Sequence, residues 1–448
     1  MLTCLFRRPA RRRWRSRLGV PMRAIAHRLP VHYGWVLVLV AVLNNTVSNT
    51  ATFWAVALWI PAIAKEFGVD RTPVVTAFMV SQAISALVGP FIGRYIDQHG
   101  SRGALLLSAI FLPLALVLSS FSNGLLQFYL AWSLVGVVRG FSQPIPFNWL
   151  MTRWFDGRQR QSAIGIATIG FSLGGAVLLP LLASIQRGSS WSTTMQVIAA
   201  MILVVQGLGA LFFIRDRPSD LGLEPSVGKS DRGRVLLAAE DDWGFTAAAA
   251  LRSMPFWLLG VGLMLFYMGQ GSVTNLGIDF FQSRGVQAGA SVFAASALVR
   301  TIARLPLGAT LSRYRSPYPL GVAVAISQGV ALAALLVNTH MAGIAIFVAL
   351  WGVGGAFAPM LEPLFITHVF GVKHFGAVSG SVAMVSFAGQ LAGSIGGAFL
   401  FDLTGSYSIP YWLYTAGFGL CAVLLISVRW AECLPEHRAR AEAMGFVR

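Results

Sequence analysis

The sequence predicts an all-α membrane protein whose twelve transmembrane helices form two pseudo-symmetric six-helix halves. Of the 448 residues, 56% are hydrophobic and only 11% are charged, whereas a soluble protein carries roughly 25% charged residues. The apolar residues come in blocks of about 20 or more, which suffices to cross a ~30 Å hydrocarbon layer. This composition and these blocks exclude a soluble enzyme. A long polar stretch divides the blocks into two sets.

Charged or turn-rich segments separate the twelve predicted spans. Spans 1 to 6 are predicted at residues 34–61, 72–93, 103–122, 124–150, 161–186 and 191–214. Spans 7 to 12 are predicted at residues 254–281, 288–312, 317–338, 341–368, 375–401 and 408–430. The chain then divides into a basic cytoplasmic arm (1–33), an N-half (34–214), a cytoplasmic linker (215–252), a C-half (253–430) and a cytoplasmic tail (431–448).

The basic residues predict the orientation. If both chain ends are cytoplasmic, 27 of the 34 Lys and Arg residues lie on that side and four lie outside. The positive-inside rule favours this arrangement, which explains the net charge of +17 without a nucleic-acid partner. We expect a multi-pass protein in the lipid bilayer of the inner membrane. The arginine-rich arm is a topology anchor, an upstream extension if Met22 is the true start, or a contact for lipid head groups.

Small residues recur in matching spans of the two halves. They are Gly165, Gly170, Gly174 and Gly175 in span 5, and Gly380, Gly389, Gly393, Gly396 and Gly397 in span 11. Such residues let helix backbones approach closely. A twelve-span chain with two related halves is typical of a transporter whose site lies near the membrane midplane between them.

Ionisable groups inside the spans predict the charge of the substrate. Arg139 lies in span 4, Arg300 and Arg304 lie on one face of span 8, and Glu362 lies in span 10. Such groups are costly in a membrane and are usually functional. Their positive surplus favours an anionic substrate, because a guanidinium binds a carboxylate through two parallel hydrogen bonds.

These residues receive distinct roles. We expect Arg304 to bind a substrate carboxylate, while Arg300 either binds a second carboxylate or pairs with Glu362. A structural network that neutralises one of the arginines is the alternative, and Arg139 has either a structural or a substrate or coupling role. Neutral polar residues in the spans have two alternative roles. They either line the cavity or form interhelical hydrogen bonds of ~0.6 kcal/mol each. These residues are Asn45, Asn49, Tyr267, Asn275 and Gln390.

Sequence patterns for enzyme chemistry are missing. There is no recognisable catalytic set, phosphate-binding loop or metal-ligand spacing, and the three cysteines are scattered. We therefore predict secondary transport by a monomer without catalytic residues, metal or cofactor. Its partners are a small organic anion and either a coupling ion or a counter-substrate.

The loop after span 2 carries glycine and charged residues in the order Gly93, Asp97, Gly100, Arg102. This loop resembles the signature loop of the major facilitator superfamily. Further stretches are similar to the monocarboxylate transporters and oxalate/formate exchangers of that superfamily. They are Tyr33-Gly34-Trp35, residues 154–160, residues 303–308, residues 375–380 and residues 401–407.

The resemblance covers roughly residues 31–430 and implies roles for several residues. Arg304 corresponds to the family's membrane arginine, with Gly308 four residues on. The loops after spans 2 and 8 would act as cytoplasmic gates through pairs made by Asp97, Arg102 and Arg313.

The sequence also departs from the family pattern. Arg300 stands where monocarboxylate transporters have an aspartate, and span 1 lacks their lysine. Gln390 is the polar residue nearest to the exchangers' span-11 lysine, and Ser312 replaces the aspartate of the loop after span 8. Uniport, exchange and proton symport therefore remain open.

The sequence predicts a transporter that moves a small mono- or dicarboxylate by alternating access. One alternative is an exporter of drugs or hydrophobic compounds, for which Glu362 would supply the carboxylate in the cavity. The alternative from another class is a membrane receptor that senses the anion without transporting it.

Overall fold

The computed structural model describes residues 32–155, 157–224, 226, 243–285, 289–304, 316–338, 340–433 and 442. Ten helices in these residues are long and apolar enough to cross a membrane, and Leu125–Arg139 is a shorter apolar helix. Gly289–Arg304 lies within predicted span 8. The predicted all-α membrane architecture is confirmed. The basic arm up to residue 31, most of the tail, Gly308 and Arg313 lie outside the described residues.

The N-half departs from the prediction in span 4. This span comprises two helices, Leu125–Arg139 and Ile145–Trp154, rather than one continuous helix. Pro144 accounts for the break, because proline has no N–H to donate and disfavours helical geometry in the residue before it. The other spans of the N-half are Gly34–Phe67, Thr72–His99, Ser101–Ser120, Gln159–Gly188 and Trp191–Phe213.

Six helices within the described residues of the C-half follow the predicted spans. They are Met254–Ser283, Gly289–Arg304, Tyr318–Val337, Met341–Val369, Phe375–Thr404 and Ser408–Glu432. Several helices extend past the predicted limits because polar residues continue a helix beyond the apolar block. Span 2, for example, ends at His99, where Gly100 adopts a φ of 88°.

Contacts between helix ends define two sides of the bundle. On the linker side, Trp154 Nε1 donates to the Arg215 carbonyl oxygen at 2.8 Å, and the Phe245 N–H donates to the Phe370 carbonyl oxygen at 2.9 Å. On the opposite side, here the far side, Trp191 Nε1 donates to Glu66 at 2.6 Å. Each span connects one side with the other, so a residue's place along its helix gives its depth in the bundle.

The buried apolar side chains of the described residues form three clusters. Two lie in the N-half, one containing Trp59 and Trp132 and the other containing Trp154. The third contains most of the buried side chains of the C-half and extends to Ile92 and Trp149 of the N-half. The cores of the two halves are therefore continuous near the linker side.

Several of the predicted glycines lie where two spans touch. A Cβ atom at Gly170 would overlap the Val42 carbonyl oxygen of span 1. A Cβ atom at Gly389 or Gly393 would overlap the backbone of span 7 at Met264 or Met268. Glycine is required at these contacts because any side chain would separate the helices.

Candidate functional site

A cavity of about 330 Å³ lies between the two halves. Its lining residues come from spans 1, 2 and 4 of the N-half and spans 7 and 11 of the C-half. They are Thr52, Phe53, Trp54, Val56, Ala57, Ile60, Val75, Phe78, Met79, Ser81, Gln82, Trp132, Val135, Arg139, Thr274, Asn275, Phe387, Gln390, Leu391 and Ser394. Residues 52–60 belong to the second half of span 1 and residues 75–82 to the first part of span 2, so the cavity lies towards the far side.

Arg139 is the one charged residue among the described residues that line this cavity. It is the last residue of the first helix of span 4, directly before the break. Its side chain is partly buried, and Nη1 donates to Oε1 of Gln82 on span 2. Because the described lining residues include no carboxylate, the guanidinium charge is available to an anion in the cavity.

The C-half contributes neutral hydrogen-bonding groups to the same cavity. Asn275 Nδ2 donates to Ser394 Oγ at 2.8 Å, which joins span 7 to span 11 across the wall. The side-chain carboxamide of Gln390 has no hydrogen-bond partner within the described part of the chain. A bound molecule could therefore accept a hydrogen bond from Gln390 or donate one to it.

Aromatic rings make up much of the remaining lining. Phe78 and Trp132 meet edge to face with their centroids 4.7 Å apart. Trp54 Nε1 donates to the Phe171 carbonyl oxygen of span 5 at 2.7 Å, which fixes the indole. Phe53 lies 5.1 Å from the Trp54 ring and is 41% exposed, so its side chain offers apolar area to the cavity.

Arg304 lies at a contact between the halves instead of in the lining of this cavity. Its Nη1 donates to the Thr168 carbonyl oxygen at 3.1 Å and to the Ser172 hydroxyl, both on span 5. The residue is 4% exposed, and its Nε has no hydrogen-bond partner among the residues that the structure describes. A buried guanidinium with uncharged partners retains the capacity to bind an anion.

Arg300 and Glu362 do not pair with each other in this structure. The Arg300 guanidinium packs against Gly355 of span 10, where a Cβ atom would lie 2.7 Å from Arg300 Nε. Glu362 Oε1 instead accepts a hydrogen bond from the Ser379 hydroxyl at 2.7 Å. Of the two roles proposed for Arg300, the ion pair with Glu362 is not formed here.

Asn45, Asn49 and Tyr267 do not line the 330 Å³ cavity. Asn45 Nδ2 donates to the Ala167 carbonyl oxygen at 2.9 Å, and Asn49 Nδ2 donates to the Phe171 carbonyl oxygen at 3.3 Å. Both bonds join span 1 to span 5, as the structural alternative predicts. Tyr267 packs partly buried against the core of the C-half.

Glycine contacts close the bundle below the cavity on the linker side. A Cβ atom at Gly93 would collide with the Gly376 carbonyl group and would lie 2.8 Å from the Ala377 nitrogen. One turn deeper, a Cβ atom at Gly89 would lie 3.3 Å from the Gly380 carbonyl oxygen. Spans 2 and 11 are thus in backbone contact, and among the described residues this contact closes the linker side between these two spans.

Asp97 strengthens the same closure. Its two carboxylate oxygens accept hydrogen bonds from the Gly376 N–H at 3.0 Å and the Ala377 N–H at 2.8 Å. These are free N–H groups at the start of span 11, where the helix dipole also favours an anion. Trp149 Nε1 of span 4 donates to Asp97 at 3.0 Å. Asp97 therefore binds the C-half directly and does not pair with Arg102 in this structure.

Arg102 and Gly100 hold the end of span 6. Arg102 Nε and Nη2 donate to the carbonyl oxygens of Ala210 and Leu211 at 3.1 and 2.9 Å. Asp216 accepts from the Arg102 N–H at 2.9 Å, and its carboxylate fills the space beside Gly100. Burial raises the pKa of Asp216, although these hydrogen bonds favour its ionised form.

Asp97→Asn is expected to open the linker side more often. The substitution removes the charge and turns one acceptor into an amide N–H that faces the Ala377 N–H. Loss of a hydrogen bond to a charged group costs about 1.5–3 kcal/mol, which corresponds to at least about tenfold in the population of the open state.

The measurement is maleimide labelling of Ala377→Cys in a background without the three native cysteines. Labelling should be at least about tenfold faster in Asp97→Asn and unchanged in Asp402→Asn, which alters an exposed carboxylate on the far side. Equal labelling rates in all three proteins would mean that Asp97 does not control the closure.

Of the polar residues predicted from the sequence, the structure brings Arg139, Asn275 and Gln390 together in one cavity. Gln82 was not predicted, although it holds the Arg139 guanidinium. The sequence signal for Gln82 was a side-chain amide inside the apolar block of span 2. Trp149 was also missed, because no local pattern shows that an indole of span 4 reaches Asp97.

Comparisons with known proteins agree with the fold. A family model described as the Major Facilitator Superfamily matches residues 42–394. Monocarboxylate transporter 4 from Gallus gallus is 23% identical over 367 residues, which cover 80% of this chain and 74% of that protein. The oxalate:formate antiporter from Oxalobacter formigenes is 23% identical over 257 residues, which cover 56% of each chain.

Solved structures show the same architecture. The crystal structure of the human organic anion transporter MFSD10 matches with a TM-score of 0.68 and 16% sequence identity. The match covers 89% of this chain and 100% of that one. At this identity the likeness establishes the fold alone.

Proposed function

This chain belongs to the major facilitator superfamily of membrane transporters, and we propose that it carries a small organic anion across the inner membrane by alternating access. The substrate is a carboxylate that enters the cavity from the far side. The linker side faces the cytoplasm, as the distribution of basic residues favours. The similarity to a monocarboxylate transporter and to an oxalate:formate antiporter supports this substrate class.

The observation that carries the proposal is the position of Arg139. It lies in a cavity between the halves, and no carboxylate occurs among the described lining residues. A guanidinium stays charged and offers a planar fork of donors, which matches the two oxygens of a carboxylate. A cationic or neutral hydrophobic compound would leave that charge unneutralised, so the anion transporter is favoured over the exporter.

Arg304 is proposed as the second contact for the same carboxylate. Its present partners, the Thr168 carbonyl oxygen and the Ser172 hydroxyl, are uncharged and belong to the opposite half. A carboxylate adds what these neutral partners lack, which is the attraction between two opposite charges and a pair of parallel hydrogen bonds to the guanidinium. A carboxylate that moves past Arg139 would therefore displace the span-5 partners of Arg304 and release one contact between the halves.

Arg304→Ala is expected to reduce carboxylate uptake by at least about tenfold, because the substitution removes both the proposed anion contact and the bond to span 5. Arg304→Lys should retain part of the activity, since the charge remains but the fork is lost. Uptake into proteoliposomes provides the measurement, with Arg284→Ala as the matched control on the far side, where Arg284 donates to Ser408. Normal uptake by Arg304→Ala would assign Arg304 a dispensable role.

The experiment for the proposed function is uptake of radiolabelled mono- and dicarboxylates by proteoliposomes. Each compound is presented with and without an imposed pH gradient or an internal counter-substrate. The dependence of uptake on the gradient or on the counter-substrate then distinguishes uniport, symport and exchange. Saturable carboxylate uptake is the expected result. Uptake of organic cations or neutral compounds instead would favour the exporter, and saturable binding without any flux would favour the receptor.

A further inference from the structure

We infer that the substrate is a monocarboxylate with an apolar body about the size of an aromatic ring, and that a polar group at its other end meets the C-half. This inference rests on the proposed function and specifies the substrate of the same cavity. It separates the preferred substrate from the smallest anions, such as formate, acetate and oxalate.

The walls of the cavity select an apolar body. Apart from Arg139 and a few amides and hydroxyls, the lining is aliphatic or aromatic, with rings from Phe53, Trp54, Phe78 and Phe387. Binding sites for amphipathic molecules combine such walls with a small number of well-placed polar groups. An aromatic substrate ring gains from apolar burial and from edge-to-face contacts with these side chains.

The size of the cavity supports the same conclusion. Its volume is about 330 Å³, whereas a cavity of about 150 Å³ lined by apolar side chains accommodates benzene. One water molecule takes roughly 30 Å³ in the liquid, so a two-carbon anion would leave most of the cavity filled with water against apolar walls. A ring with a short carboxylate-bearing chain fills the space better.

The charges of the lining favour one carboxylate over two. Arg139 is the single cation among the described lining residues, and Gln82 occupies one side of its guanidinium. A second carboxylate on the substrate would meet the carboxamides of Asn275 and Gln390 without a neutralising charge. Burial of an unpaired carboxylate is costly, so a dicarboxylate is disfavoured at this site.

The C-half amides recognise the opposite end of the substrate. Asn275 uses its amide N–H to bond Ser394, which leaves its carbonyl oxygen as an acceptor. Gln390 has no side-chain partner in the described structure. A hydroxyl group on the substrate can donate to one of these groups while the carboxylate binds Arg139, so the substrate spans the gap between the halves.

Titration calorimetry on the full-length protein in lipid nanodiscs tests the inference. The probes are acetate, oxalate, phenylacetate, 4-hydroxyphenylacetate and the uncharged phenylacetamide. Phenylacetate should bind at least tenfold more tightly than acetate, oxalate or phenylacetamide. The 4-hydroxy compound should bind still more tightly and lose this advantage in Gln390→Leu.

Ala57→Phe provides the matched test of the apolar space, because Ala57 lines the cavity and is exposed within it. The added ring should weaken phenylacetate binding at least tenfold and change acetate binding less than threefold. Ala392→Phe is the control, since Ala392 is exposed on span 11 beside the exposed Ile395 and is absent from the cavity lining. Phenylacetate binding should be unchanged in that variant.

The outcomes separate this inference from the proposed function. Tighter binding of acetate or oxalate than of phenylacetate would overturn the inference while leaving an anion transporter. Unchanged phenylacetate binding in a folded Ala57→Phe protein would also overturn it. Binding of phenylacetamide as tight as that of phenylacetate, or no binding of any carboxylate, would overturn both.

Discussion

Gly93→Ala is expected to reduce carboxylate uptake about ten- to a hundredfold without preventing insertion into the membrane. Gly93 of span 2 lies against the backbone of Gly376 and Ala377 in span 11, and a Cβ atom there would collide with the Gly376 carbonyl group. The opposing atoms are backbone atoms, so the helices must separate to accept a methyl group. Overpacking of this kind costs about 1–3 kcal/mol.

The added methyl group destabilises the state that is closed on the linker side. Alternating access requires that this state be populated in every cycle. A penalty of about 1.4 kcal/mol lowers its population tenfold relative to the open state. Substrate binding from the far side should therefore weaken, and labelling of Ala377→Cys from the linker side should become faster.

Gly207→Ala is the matched control, because Gly207 lies in span 6 and a Cβ atom there has no neighbour within 4 Å. It should transport at the wild-type rate. If Gly93→Ala matched Gly207→Ala in both uptake and labelling, the contact between spans 2 and 11 would not be part of the transport cycle.

Arg139→Ala is expected to raise the concentration needed for half-maximal carboxylate uptake by at least about thirtyfold. Truncation of one partner of a buried, hydrogen-bonded charge pair costs about 2–5 kcal/mol. Arg139→Lys should fall between the wild type and Arg139→Ala, since it keeps the charge but cannot bind both carboxylate oxygens through a rigid fork. The measurement is the substrate dependence of initial uptake rates.

Two controls make the Arg139 experiment specific. Arg187→Ala removes an exposed arginine at the far end of span 5 in the same half, and it should leave uptake unchanged. The thermal unfolding midpoint of each purified variant reports whether loss of the bond to Gln82 affects the fold. A folded Arg139→Ala protein with wild-type affinity would remove Arg139 from the anion site.

Composition and span length were sufficient to predict the membrane architecture. The apolar blocks of about 20 residues determine which segments cross the membrane. The interruption of span 4 could also have been predicted, because Pro144 lies inside the block and cannot continue the helical hydrogen bonds.

Local sequence does not show which neighbour a polar face will meet. Helical spacing places Asn45 and Asn49 on one face, but the structure turns that face towards span 5, where both side chains bind backbone carbonyl oxygens. Charge inside the spans marked both Arg139 and Arg304 as candidate site residues, and the sequence ranked Arg304 above Arg139. The structure instead places Arg139 in the cavity and Arg304 against span 5.

Contacts between the halves were likewise beyond sequence analysis. Asp97 is 279 residues from Gly376, and their hydrogen bond depends on how two complete six-helix units pack together. The loop pattern predicted a gating role for Asp97 at the linker side. It suggested a local partner, Arg102, whereas the actual partners are the first N–H groups of span 11 and the indole of Trp149.

Counterflow in proteoliposomes tests the central claim most directly, because uniport, symport and exchange all permit it. Vesicles are loaded with one unlabelled carboxylate, in turn 4-hydroxyphenylacetate, acetate and oxalate, and are diluted into a trace of the same compound in radiolabelled form, beside protein-free vesicles and vesicles with Arg139→Ala. We predict transient accumulation of label that requires the wild-type protein and fails in the variant. Wild-type vesicles that exchange no carboxylate, or exchange it equally well without Arg139, would contradict an anion transporter built around this cavity.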